Sequence, residues 1–226
     1  MKRGILVAFQ EEIKQEIDNY VKGHLASEQW HRDFFNFIND EQLAQRLAEE
    51  FLSIRYIYKL LEGMQVDGFM LTAQIKLQIL FYASIYEAVI HHILFNVMKD
   101  VEEVKELLIT ERFNKISVSK ELDSLTHDGK DILTMYKTTG KRDITKVRFD
   151  EKVELFVKLG FITAKLGEEL IDIYEMRNAI HIHAELKKLR QGIQYEMDKS
   201  VIAYRRMQVF REQIMNKLEV LQQTQG

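Results

Sequence analysis

Apolar residues recur at three- and four-residue steps along most of this chain, and that period predicts helices almost throughout. The first spans residues 5–22, with Phe9, Ile13, Ile17, Tyr20 and Val21 at helical spacing before Gly23 interrupts. Ser27 then caps a short segment holding Trp30, Phe34, Phe35 and Phe37, an aromatic cluster expected in a core or at an interface. Asn39 or Asp40 opens the next helix, whose stripe is Leu43, Leu47, Phe51, Ile54, Ile57, Tyr58 and Leu61, and Gly63 to Gly68 closes it. From Thr72 to about Met98 apolar residues run almost all the way round. This predicts a central helix packed on several sides.

Residues 100–148 change character, with shorter periodicity, Gly129 and Gly140, and more Ser, Thr and Asp. The pattern predicts short helices near 101–109 and 119–126 joined by irregular connections. About fifty residues scarcely bury a core of their own, so this stretch reads as an insertion or lid. Helical periodicity returns at Phe149 through Val153, Phe156 and Val157 to Gly160, then along Leu166, Leu170, Ile173, Ile180 and Ala184. A final amphipathic helix is expected from about Ile193 to Leu221. The expected fold is all-α, an up-and-down helical bundle. Its organisation reads as an N-terminal helical extension over 1–65 and a bundle over 66–226 that carries the insert at about 100–148; the alternative is one continuous domain.

Composition sharpens this picture at two points. Among 226 residues there is no proline, where an average chain has about 5%, so nothing stops long helices. There is also no cysteine, which excludes disulfides, thiolate metal sites and a cysteine nucleophile, and fits a reducing, cytoplasmic location. The apolar tract Ile79 to Met98 is broken by Glu87, His91, His92 and Asn96, and reads as a buried helix instead of a membrane span.

The net charge of −3 advertises no nucleic-acid partner, but its distribution is uneven. Lys137, Lys141, Arg142, Lys146 and Arg148 are opposed by Asp143 alone, and a second basic stretch begins with Lys187, Lys188 and Arg190. Together they are candidates for an anion-binding face; the alternative is a pair of solvated helix faces. Inside the central helix, Glu87 and His91 lie four apart and share a face, bonded to each other or reaching a cleft; the alternative is a satisfied polar network or solvent exposure on the less buried side.

The densest chemistry is Arg177-Asn178-Ala179-Ile180-His181-Ile182-His183, with Arg177 on an apolar helix face. A buried guanidinium needs a partner, a cleft or an external anion. Histidine moves protons near neutral pH, and arginine presents a planar fork to phosphate oxygens. Such a pair is sufficient for metal-independent RNA cleavage. The 2′-hydroxyl attacks its own phosphate, the imidazole moves a proton, and the guanidinium stabilises the phosphoryl oxygens. The products would be a 2′,3′-cyclic phosphate and a 5′-hydroxyl. Two other readings stand beside this one: a structural ion pair of Arg177 with Glu87 or Glu175, and a His-x-His metal site completed by Glu185 or His91.

Arg177-Asn178 followed by His183 resembles the motif of HEPN-type ribonucleases, an Arg, usually a polar residue, then a His after four to six intervening positions. The runs 156–162, 166–176 and 82–88 also look similar to that superfamily, and the resemblance covers roughly residues 70–215. It implies a four- or five-helix bundle that forms a homodimer, so that two Arg-His motifs build one composite ribonuclease site without cofactor. It implies RNA as partner, with a toxin or antiviral-defence role and a possible antitoxin or regulatory protein. A catalytically silent bundle that binds a protein or nucleotide is the alternative. On a continuous helix His181 lies about 40° round from Arg177 and His183 about 120° away. Helix geometry therefore favours His181 and the family spacing favours His183; His183 is the preferred acid/base if the helix bends or loosens after Asn178, or if His183 serves the pocket from the partner subunit. The candidate site comprises Arg177 as phosphate clamp, His183 or His181 as acid/base, Asn178 as orienting residue, and Glu87. Lys141, Arg142, Lys146, Arg148, Lys187, Lys188 and Arg190 are the candidate RNA contacts.

Overall fold

A computed structural model describes residues 8–116, 124–180 and 197–225. Most of them are helical. Helix α1 (Glu11–Gly23) packs on α3 (Glu41–Gly63), and α2 (Glu28–Phe34) packs beside it. The hydroxyl of Ser27 accepts from the Trp30 amide and the carboxylate of Asp40 from the Leu43 amide, so both helices begin where a short side chain satisfies an orphan donor. Of the aromatic cluster, Phe34 and Phe35 are buried while Trp30 remains partly exposed.

The central helix α4 (Gly68–His92) starts four residues earlier than the periodicity suggests. Its α-helical bonding gives way to a π turn over Ile93–Val97, closed by the Met98 amide donating to the Ile93 carbonyl at 2.8 Å. By length and composition this helix could cross a membrane, yet most of its apolar stretch is buried within the protein. It is packed by α3, by α6 (Phe149–Lys158), by α7 (Ala164–Asn178) and by α8 (Met197–Gln225). Buried residues of α2 and α3 join those of α4, α6, α7 and α8 in one apolar cluster. Polar ties fix the layers: Tyr86 donates to the Ala203 carbonyl at 2.7 Å, and Arg206 of α8 pairs with Glu169 of α7.

Helix α6 ends in a Schellman motif. Gly160 has φ +75°, its amide donates to the Val157 carbonyl, and the Phe161 amide reaches back to the Phe156 carbonyl. Phe156 and Phe161 then stack at 4.6 Å, the apolar contact that accompanies this stop. The chain turns directly into α7, whose N-cap Thr163 accepts from the Leu166 amide.

The insert departs from expectation. Helix α5 (Glu102–Leu107) is present, but the connections form a β-hairpin. Strand β1 (Ile109–Lys115) pairs antiparallel with β4 (Met135–Lys141), and β2 (Thr126–His127) pairs with β3 (Lys130–Asp131). The helix expected near 119–126 is not formed at its described end, where Thr126 is in β2; residues 117–123 lie outside the described residues. The physical reason is the pair Asp128-Gly129, both with positive φ (50° and 72°), a two-residue turn whose twist matches an antiparallel pair. α7 also stops sooner than the apolar spacing to Ala184 suggests. It ends at Asn178, with Ala179 as C-cap.

Candidate functional site

Arg177 is the penultimate residue of α7, half-buried, and Asn178 is the last and exposed. Ending the helix here removes the basis for placing His181 by continuous helical rotation. His181, His183, Lys187, Lys188 and Arg190 lie outside the described residues.

Arg177 does not reach Glu87 directly. Its Nη1 donates to the Tyr174 hydroxyl at 3.4 Å and to Asn178 Oδ1 at 3.1 Å. The Tyr174 hydroxyl donates in turn to Glu87 Oε2 at 3.1 Å, and the Lys152 ammonium donates to Glu87 Oε1 at 3.2 Å. Four side chains from three helices thus form one chain of contacts, Arg177 to Tyr174 to Glu87 to Lys152. Tyr174 is held from its other side by Phe149, stacked at 4.1 Å, and the guanidinium lies 5.1 Å from the Tyr174 ring centre. Burial, then the neighbouring Glu87 carboxylate, raises the Tyr174 pKa, so the phenol keeps the proton it donates.

The reason for this order is visible in the helices. Tyr174 precedes Arg177 by three residues and shares its face of α7. Lys152 sits between Phe149, Val153 and Phe156 on the apolar stripe of α6, and its side chain is only 4% exposed. An ammonium so placed requires a counter-charge, and Glu87 of the central helix supplies it. Lys152 and Tyr174 were not foreseen. The signal for each was present, a cation on an apolar stripe and an aromatic one turn before the arginine.

Glu87 and Lys152 also line a cleft of about 490 Å³ with His91, His92, Asn96 and Thr145. Glu87 and His91 both line this cleft, and the Glu87 carboxylate is at the same time satisfied in a polar network by Lys152 and Tyr174. Burial lowers the His91 pKa, and the Lys152 ammonium lowers it further against the opposing pull of Glu87. His92 bonds Asn39 Oδ1 through Nε2 at 2.9 Å and the Asn96 amide through Nδ1 at 3.0 Å. Both of its ring nitrogens are engaged, which assigns the neutral Nε2–H tautomer.

The first basic stretch divides. Arg142 is held by both oxygens of Glu151, at 2.7 and 2.6 Å, and by the Lys146 carbonyl, which ties the hairpin to the start of α6. Glu151 also caps α6 by accepting from the Arg148 amide, and the Arg142 guanidinium holds its carboxyl down at about 2. Arg148 pairs with Asp150. Lys141 and Lys146 are exposed. Arg142 is therefore a structural ion pair in this fold, while Lys141 and Lys146 face solvent.

No protein-family model, curated protein or solved structure matches this chain.

Proposed function

We propose that the protein is a metal-independent endoribonuclease of HEPN type, acting as a cytoplasmic homodimer. The observation that carries the reading is the setting of Arg177. It is oriented by Tyr174 and Asn178, and these two hydrogen-bond partners are uncharged, so its cation is aimed without being neutralised by them. A half-buried, preoriented guanidinium at a helix end suits the phosphoryl oxygens of a transition state better than a structural pair would. Glu87 and Lys152 act behind it as positioning residues, since they touch Arg177 only through Tyr174.

In this reading the 2′-hydroxyl of the substrate loses its proton to His183 or His181 and attacks the adjacent phosphorus. The P–O5′ bond breaks, the leaving 5′-oxygen takes a proton, and Arg177 binds the non-bridging oxygens. Two copies meeting at their Arg177 sites would supply the groups twice. A toxin or antiviral-defence role, and control by an antitoxin or other regulatory protein, belong to the same reading.

The test is RNA cleavage in EDTA by wild type and by Arg177→Ala, His181→Ala and His183→Ala. Wild type is expected to cleave. Arg177→Ala and one histidine variant are expected to lose at least a hundredfold, at unchanged thermal stability. Cleavage that survives Arg177→Ala, or that EDTA abolishes, overturns the proposal.

A further inference from the structure

A second cavity, whose lining does not include Arg177, lies at the root of the hairpin. It measures about 700 Å³, within the roughly 300–1,000 Å³ of small-ligand sites. Phe95, Val104, Leu108, Ile109 and Ile144 form its apolar wall, and Ile109 and Ile144 are 56% and 36% exposed. Three lysines from three separate elements line it: Lys99 after the π turn, Lys105 on α5, and Lys141 at the end of β4. Acidic residues are frequent in the same stretch, at Glu102, Glu103, Glu106 and Glu111. None of these carboxylates lines the cavity among the described residues, although Glu102 lies 3.9 Å from the Lys105 ammonium.

The root of the hairpin is braced. The Arg142 amide donates to the Leu108 carbonyl at 2.7 Å, and the Arg142 guanidinium is clamped by Glu151. On the other side Arg112 lies flat across Gly140 and donates to the Lys141 carbonyl at 3.0 Å. Any side chain at Gly140 would meet the Arg112 Nε at 2.5 Å, so glycine is what allows that brace. The backbone that presents Lys141 is thus fixed from both sides.

We propose that this cavity binds a nucleoside phosphate. Three lysines round one cavity, set against a single exposed Lys105–Glu102 pair, leave a net positive lining that matches a multiply charged phosphate group. The adjoining apolar wall accepts the flat face of a base, and the Thr139 hydroxyl at its edge offers one hydrogen-bonding group to a sugar or base. The ligand is either a free nucleotide or a nucleotide unit of a single RNA strand. The cavity's binding chemistry stands apart from the cleavage reading.

The test uses the full chain carrying Arg177→Ala, so that no RNA is consumed, and measures equilibrium binding of ADP, of a 5′-phosphorylated eight-residue oligouridylate and of inorganic triphosphate. Lys99→Gln/Lys105→Gln/Lys141→Gln is compared with Lys22→Gln/Lys158→Gln/Lys165→Gln, which removes the same charge elsewhere on the surface. The cavity variant is expected to weaken binding of ADP, the oligonucleotide or both at least tenfold, and the control less than twofold. ADP binding identifies a free nucleotide as ligand, and binding of the oligonucleotide alone identifies the RNA strand. Ile144→Ser is expected to weaken the nucleoside ligand about threefold and leave triphosphate unchanged. The proposal is overturned if neither nucleoside ligand binds, if both triple variants weaken it equally, or if Ile144→Ser affects triphosphate as much. Absence of RNA cleavage by wild type leaves these outcomes readable.

Discussion

Replacing Lys152 and Glu87, singly and together, tests whether the pair behind Arg177 is one unit. Lys152 is the more deeply placed partner, its side chain 4% exposed against 30% for Glu87. Glu87→Gln therefore leaves an ammonium buried without its counter-charge, a loss of roughly 3–5 kcal/mol in comparable sites. Lys152→Met leaves a carboxylate that still accepts from Tyr174 and still meets solvent, so its cost falls lower, about 1–3 kcal/mol. The double variant has neither charge; methionine fills the volume of the lysine, and glutamine still accepts from Tyr174. It is expected within about 1 kcal/mol of wild type, which gives a coupling energy of roughly 3 kcal/mol or more. Urea denaturation of the four proteins reads these values. In thermal melts each kcal/mol moves the midpoint by about 2–4 °C for a chain of this size. Additive single effects, or a Lys152→Met variant costlier than Glu87→Gln, would refute the assignment of Lys152 as the desolvated member.

Three further measurements bear on the fold. Burial lowers the pKa of His31, His91 and His92, so the unfolded chain binds protons more readily than the folded one below about 6.5. Stability is expected to be full above that pH and to fall as pH drops from 6.5 towards 5, and a flat profile there would contradict the burial of these rings. Arg142→Ala is expected to cost about 1–2 kcal/mol at pH 7, screening included because the Glu151 side chain is 34% exposed. That difference should shrink as pH falls from 4.5 towards 2, where Glu151 itself protonates, in denaturation curves taken across that range. Gly160→Ala is expected to cost about 1 kcal/mol by urea titration, because φ +75° is strained for any residue with a Cβ.

What the sequence revealed depended on whether the governing interaction was local. Periodicity located the helices, and Ser27 and Asp40 marked two starts because a cap depends on residues three positions away. Arg177 stood out because a cation interrupts an apolar stripe. Its partners were harder to read, since Glu87, Lys152 and Tyr174 come from three helices whose juxtaposition only packing decides. By the same reasoning Lys152 looked like any lysine until α6 was seen to turn it inward. The hairpin was missed although Asp128-Gly129 carries a strong local turn signal, because the low apolar content around it masked the strand alternation. Arg142 counted as a cation in a basic run, and nothing in the run alone showed that Glu151, nine residues on, would hold it.

The central claim, that Arg177 serves attack by a 2′-hydroxyl, is tested most directly with one RNA oligonucleotide and its counterpart carrying a single 2′-deoxy residue on the 5′ side of the cut. In EDTA, wild type is expected to cleave the first to a 2′,3′-cyclic phosphate and a 5′-hydroxyl, identified by mass, and to leave the second intact at that bond. Cleavage at the deoxy position, or a 5′-phosphate on the product, would contradict the account.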